Sequence, residues 1–290
     1  RDDQHKDGKN ARQVVQWLED KSYGDKPFFI SLGLQKPHVP FLAPDKYFDL
    51  YPFDKITYQN DRPNLWDFLP SSALSKRYEA FGFEFAKENH PLRKEYIQAY
   101  HACVSFIDAQ LGMVLDSLKK EDLWDDTIII FTSDHGYHLG DHFIWGKVTL
   151  FDIGAKVPFI VRSPGLSKSG TASDAMVELI DIYPTLADLA GLQAPDHLQG
   201  ISLRPLLGHP ERMGKRKYAY SVVTRGPKTL GYALRNENWR YGKWPDGEEL
   251  YNLRTDPQEK NNLAKKDHLR ERLEDFRDIL AEKQKLFGKR

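Results

Sequence analysis

Asp134, His135, His138, Asp141 and His142 fall within nine positions of one another, with Gly136 and Gly140 between them. Carboxylates and imidazoles at that density are what a metal ion or an anion site needs. Lys147 follows thirteen residues after Asp134, behind Trp145 and Gly146. An ammonium beside a metal-binding carboxylate suits an oxyanion substrate such as a sulfate or phosphate ester. A further candidate is His38, in the run Lys36-Pro37-His38-Val39-Pro40. Its flanking prolines fix φ and stiffen the loop. Each feature also has a plainer reading. Asp-His-Gly after a strand is a common turn with a capping Asp, and a histidine between prolines is an ordinary loop residue. Five such groups in one loop are more than a turn requires, and the accumulation favours a site.

The elements that must position these groups are readable from periodicity. Residues 127–132 form an apolar run with three isoleucines and a phenylalanine, which reads as a strand buried on both faces. Ligands in an open parallel sheet bind beyond the carboxyl ends of the strands, and Asp134 lies just past this one. Residues 27–34 read as a second buried strand, so His38 also follows a strand end. If the two strands are neighbours, both loops face one crevice. Residues 9–22 read as an amphipathic helix with Val14, Val15 and Leu18 on its apolar face. Residues 92–120 read as a longer one, with Tyr96, Tyr100, Cys103, Ile107, Leu111 and Val114 at steps of three and four. Cys103 on that stripe is expected to be a buried, inert thiol.

Residues 157–162 and 175–180 read as further strands, and Asp181 and Gly191 bracket a helix. Through about residue 205 the alternation predicts an α/β fold, a mostly parallel sheet flanked by helices. Beyond it, short strands over 218–223, 229–235, 239–243 and 248–253 precede a charged helix over 266–287. They predict a small antiparallel sheet with a packed helix, with a hairpin at Asn236-Glu237. The expected domains are 1–205 and 206–290. Residues 41–90 are irregular, and their aromatics either line a cleft or pin the excursion to the body.

Forty-two basic side chains balance forty-two acidic ones over 290 residues, so no overall field draws the chain to nucleic acid. No apolar run reaches the roughly 18 residues of a membrane span. The lone cysteine excludes an internal disulfide. The chain opens on Arg1, and its first ten residues are no signal sequence. It reads as a mature product, a fragment, or part of something longer.

The runs T-S-D-H-G-Y-H-L-G-D-H-F-I-W-G-K, K-P-H-V-P-F, V-P-F-I-V-R-S-P-G, L-I-D-I-Y-P-T-L-A-D-L-A-G-L and E-L-Y-N-L-R-T-D-P-Q-E-K-N-N-L-A together resemble the type I sulfatases, in particular iduronate-2-sulfatase-like members. The resemblance runs in order from about Asp3 to Ala264. It implies an alkaline-phosphatase-like α/β fold, a bound calcium ion and a sulfated saccharide substrate. By position, Asp134 and His135 match the family's late pair of metal ligands. Lys147 matches the lysine on the sulfate and bridging oxygen, and His38 the histidine that serves the leaving group. The family's nucleophile is a Cys or Ser in Cys/Ser-X-Pro-X-Arg, matured to formylglycine, with two aspartates ahead of it. None of this is present, and Cys103 stands in H-A-C-V-S-F. The chain therefore resembles the C-terminal half to two-thirds of a sulfatase and is expected to be inactive alone. The resemblance implies an exported or lysosomal setting. A phosphatase or phosphodiesterase of the same superfamily, or a non-catalytic binder of sulfated glycans, stand as alternatives.

Overall fold

The apolar stripe of the first helix decides what it packs on. The computed structural model describes all residues except 59–60, 75–78, 81, 86–89, 213, 226–228 and 288–290. Helix α1 (Lys6–Glu19) buries Ala11, Val14 and Leu18 on one face. The short α2 (Asp45–Phe48) and the long α3 (His90–Lys120) follow, and both α1 and α2 pack against α3. Tyr47 stands edge-on to Phe106 of α3 at 5.5 Å, a favoured aromatic geometry. Cys103 is fully buried there, and burial pushes its thiol up to about 11. These elements belong to a compact unit of residues 1–59 and 81–127. Residues 60–80 and 128–290 form the other.

Residues 27–34 correct an expectation. They show the period-two exposure of an extended chain, with Phe29 at 80% exposed, yet they form no strand among the described residues. A strand is defined by a hydrogen-bonded neighbour as much as by composition, and none pairs here. Residues 175–180 likewise form no strand.

In the second unit, β1 (Ile129–Thr132) is the strand expected before the Asp-His-Gly loop. Two short strands, β2 (His138–Leu139) and β3 (Trp145–Gly146), pair antiparallel across that loop. A single turn, α4 (Asp152–Ala155), leads to β4 (Phe159–Arg162). Strand β1 pairs with β4 antiparallel, Ile129 opposite Arg162 and Thr132 opposite Phe159. The expected mostly parallel sheet is not seen: no parallel pair occurs among the described residues. All four residues of β1 are half-buried, and Ile160 of β4 is 61% exposed. Burial on both faces needs a packed layer above and below the sheet; among the described residues β1 pairs with β4 in a two-stranded sheet and its side chains stay half-buried.

Helices α5 (Ile182–Leu189) and α6 (Arg204–Gly208) precede a four-stranded antiparallel meander. Its strands are β5 (Ala219–Arg225), β6 (Thr229–Arg235), β7 (Trp239–Trp244) and β8 (Gly247–Asn252), in sequential order. The β6–β7 hairpin falls where Asn236-Glu237 predicts it. Helix α7 (Arg270–Phe287) lays Leu273, Phe276 and Leu280 on Leu234, Tyr241 and Leu250 of one sheet face. The opposite face carries Ala233 and Trp244 onto Leu150, and Tyr251 onto Ile144 and Phe151. That second face therefore supports the loop after β1. Gly231 makes room for this packing, since a Cβ there would stand 2.4 Å from the Trp244 ring.

The stretch over 41–90 lies partly outside the described residues. Within it the aromatics mainly anchor: the Tyr51 hydroxyl meets Ser105 Oγ at 2.6 Å, and Trp66 Nε1 donates to the His142 carbonyl at 2.6 Å. Among the described residues no helix is long and apolar enough to cross a membrane.

Two outcomes test this packing. Gly231→Ala should lower the urea midpoint with an unchanged slope, by about 1–3 kcal/mol of overpacking; an unchanged midpoint contradicts the Trp244 contact. Glu248 tests α7: Arg277 grips its carboxylate at 2.9 and 2.5 Å and Tyr241 donates to it at 2.6 Å. Those bonds hold its pKa at about 2, below the ordinary 4.5. A lowered folded value gives stability that is present above 4.5 and lost as pH falls toward 2. Melting temperatures between pH 5 and 2.5 should fall less steeply for Glu248→Gln than for the unaltered protein, and equal slopes would exclude this contribution.

Candidate active site

The loop after β1 is set first by backbone. The Ser133 hydroxyl donates to the His135 carbonyl at 3.0 Å, and the His135 amide donates to Asp134 Oδ1 at 3.0 Å. The Gly136 amide donates to the Gly154 carbonyl at 2.9 Å. A Cβ on Gly136 would lie 2.0 Å from the Ile153 carbonyl oxygen, so only glycine admits this close crossing. His135 is turned so that Nδ1 meets the Gly136 carbonyl at 2.8 Å. A carbonyl only accepts, so Nδ1 carries the proton and Nε2 keeps its lone pair. Lys147 Nζ donates to that lone pair at 3.1 Å, and Asp134 Oδ2 lies 3.4 Å from the same atom. A carboxylate, an imidazole and an ammonium thus converge at the end of β1. The Asp134 side chain is 83% exposed and that of His135 36%, so the group meets solvent.

The rest of the His/Asp accumulation does other work. His138 is fully buried, with Nδ1 donating to the Asp141 carbonyl at 3.1 Å and Nε2 accepting from Thr149 Oγ1 at 2.7 Å. His142 is 2% exposed and stacks on Phe151 with centroids 4.0 Å apart. Its Nε2 donates to the Glu259 carbonyl at 3.1 Å, and its amide to Asp61 Oδ2 at 2.6 Å. Burial pulls its pKa below the ordinary histidine value. Both rings hold the loop's shape.

Calcium takes six to eight oxygen ligands as a rule. Asp134 and His135 offer one carboxylate and one imidazole, and no group of three or more His, Cys, Asp or Glu poised for a metal occurs among the described residues. The donor set is therefore short of a calcium shell.

His38 lies in the first unit. Its loop is held by Asp7, a 2%-exposed carboxylate in the first turn of α1. Asp7 accepts the Gln35 and Lys36 amides, each at 2.8 Å. Lys36 Nζ then donates to the carbonyls of His38 at 3.1 Å and Pro40 at 2.6 Å. His38 Nδ1 donates to the Val39 carbonyl at 2.6 Å, so the neutral ring carries its lone pair on Nε2. Sequence reading missed Asp7, Asp61 and Glu259. Asp7 had one available signal, an acid in a first helical turn; the other two had none.

Comparison with known proteins agrees with these motifs. Residues 2–192 match the sulfatase family model, and residues 140–286 match the C-terminal model of N-sulphoglucosamine sulphohydrolase. A sulfatase of Formosa agariphila is 37% identical over 275 residues, covering 92% of this chain and 52% of that protein. Human iduronate 2-sulfatase is 30% identical over 339 residues, covering 89% and 62%. The chain thus spans a little over half the length of these curated relatives. Among solved structures, a protein in complex with its substrate D-glucosamine-2-N,6-O-disulfate superposes with a TM-score of 0.85 at 22% identity, over 97% of this chain and 70% of that one. The phosphonate monoester hydrolase of Agrobacterium radiobacter does so at 0.82 and 25% identity, over 97% and 60%. The likeness in fold is to an α/β sulfatase-like architecture. With two-thirds of its length inside the family model and the Asp134–Lys147 loop intact, the chain belongs to the sulfatase family.

Proposed function

We propose that this chain carries the sulfate-binding part of a sulfuric ester hydrolase that removes sulfate from a sulfated sugar. An iduronate-2-sulfatase-like substrate is the finer reading. The observation that carries it is Lys147 Nζ at 3.1 Å from His135 Nε2, beside Asp134. An ammonium held there offers donors to sulfuryl oxygens and neutralises charge that builds on them during S–O cleavage. Asp134 is proposed as one ligand of a calcium ion whose shell other groups complete; His135 would be a second only through Nε2, in place of its bond to Lys147. His38 is proposed to protonate or hydrogen-bond the departing sugar oxygen. Residues 1–205 carry these four groups, and 206–290 pack against the loop that holds Asp134, His135 and Lys147. A phosphonate or phosphate ester is the second reading, favoured by the likeness to the phosphonate monoester hydrolase.

The sequence has no Cys/Ser-X-Pro-X-Arg run, and Cys103 is buried with its thiol raised to about 11. Binding without turnover is therefore the expected behaviour of this polypeptide. Isothermal titration with a sulfated disaccharide should show binding, and Lys147→Met should weaken it roughly 10- to 100-fold, the range for losing a charged hydrogen bond. Equal affinity of the two proteins removes Lys147 from the site, and turnover of a chromogenic sulfate ester by this chain would place a nucleophile within it. Tighter binding of a phosphonate monoester than of the sulfate would favour the second reading.

In a catalytically competent sulfatase containing this chain, His38→Asn separates leaving groups. Alkyl sulfates, whose alkoxides need a proton, should slow by about 10²-fold or more. Nitrophenyl sulfates, whose phenolates leave unaided, should hardly change. Equal slowing of both would rule out the leaving-group role.

A further inference from the structure

Lys147 sits in a strained and braced segment. Val148, the next residue, has φ +67°, a conformation that β-branched residues avoid. Such strain persists only where the surroundings over-determine the backbone. One brace is local: β2 pairs His138 with Gly146, and Thr149 donates to His138. The other brace comes from far along the chain. Glu259 accepts from His142 Nε2 through its carbonyl at 3.1 Å and from the Asp152 amide through Oε2 at 2.6 Å. These two bonds bracket Lys147 in sequence, five residues on either side. Glu259 is itself 2% exposed with φ +54°. Its Oε1 is gripped by Arg240 Nε, and Arg240 Nη1 reaches Glu249 at 3.4 Å. Trp244 and Tyr251 fix Glu249 at 2.9 and 3.0 Å.

We propose that Glu259 is a positioning residue for the Lys147–His135 pair, clamping both ends of residues 142–152 to the second face of the C-terminal sheet. The proposal rests on the reading of that pair as the anion site. A buried ion pair is a weak source of stability compared with an apolar replacement, and packing alone does not call for a carboxylate at 259. A carboxylate supplies a directional acceptor for the Asp152 amide while its other oxygen is tied to the sheet.

Glu248 provides the control. It is bonded to Arg277 and Tyr241 on the α7 side of the same sheet, so losing it weakens the sheet without touching the clamp. Two readouts separate positioning from general destabilisation. Long-range ¹H–¹⁵N spectra of labelled histidine report the His135 tautomer, and inorganic sulfate protects Lys147 from an amine-modifying reagent. Glu259→Gln and Glu259→Ala should mix the His135 tautomers and weaken sulfate protection of Lys147 about tenfold, the scale of one lost charged hydrogen bond. Glu248→Gln should lower the melting temperature and leave both readouts at their unaltered values. Unchanged readouts in the Glu259 variants, or equal changes in Glu248→Gln, overturn the proposal. Should the Glu259 variants fail to fold, amide exchange in the unaltered protein decides. Under the clamp, the Asp152 amide exchanges only in the openings that also release the Leu234 and Tyr241 amides of the sheet; faster, independent exchange overturns it. If sulfate fails to protect Lys147 even in the unaltered protein, the anion-site reading fails, while the tautomer and exchange results still judge the clamp.

Discussion

The buried guanidinium of Arg240 is the constraint on which the second unit depends. It is 1% exposed, lies over the rings of Phe151 and Tyr251 at 4.9 and 4.6 Å, and faces the carboxylates of Glu249 and Glu259. Removing three charges from water costs several kcal/mol each, so the arrangement holds only because nearly every partner is in place. Burial raises Glu259 to about 7 against the pull of Arg240. Burial also opposes the charge on Arg240, but its two carboxylates outweigh that and drive its pKa up. The guanidinium therefore stays charged, and the two acids compete for it. Gly242 sits beside them because a Cβ there would lie 2.7 Å from Glu249 Oε2 and 3.0 Å from Arg240 Nη1.

From this centre the two faces of the C-terminal sheet take different tasks. The face under α7 is apolar and is closed at its rim by the Glu248–Arg277 pair. The face toward the loop mixes Trp244 and Tyr251 with the buried charges. Apolar packing is tolerant of small slips; hydrogen-bonded charges are not. The polar face is therefore suited to fixing the loop in register, and the apolar one to holding the sheet together.

Much of this was legible in the sequence, for reasons that differ by element. Helix α3 and the meander follow local periodicity, and they appear where Tyr96, Val114 and the Asn236-Glu237 turn place them. The residues 27–34 misled because an apolar run states a preference for burial and cannot state which neighbour delivers it. The same limit applies to the sheet around β1, whose partner is antiparallel. In the loop, residue types announced a site but could not sort its members. His135 and His138 differ in role because of Lys147 on one side and Thr149 on the other. His142 differs because of Glu259. No local pattern marks Glu259, whose amide closes a turn onto the Asp256 carbonyl, as the partner of a histidine so far upstream.

The bond from His142 to Glu259 closes a separation of 117 residues. Contacts of such span slow folding, because the entropy of closing the intervening chain is spent before they stabilise anything. During synthesis the Lys147 segment leaves the ribosome well ahead of the sheet that braces it. The Lys147 segment thus gains its bonds to Glu259 only after the C-terminal part of the chain is made, and a chain interrupted before Glu259 would carry the loop's chemical groups without that brace.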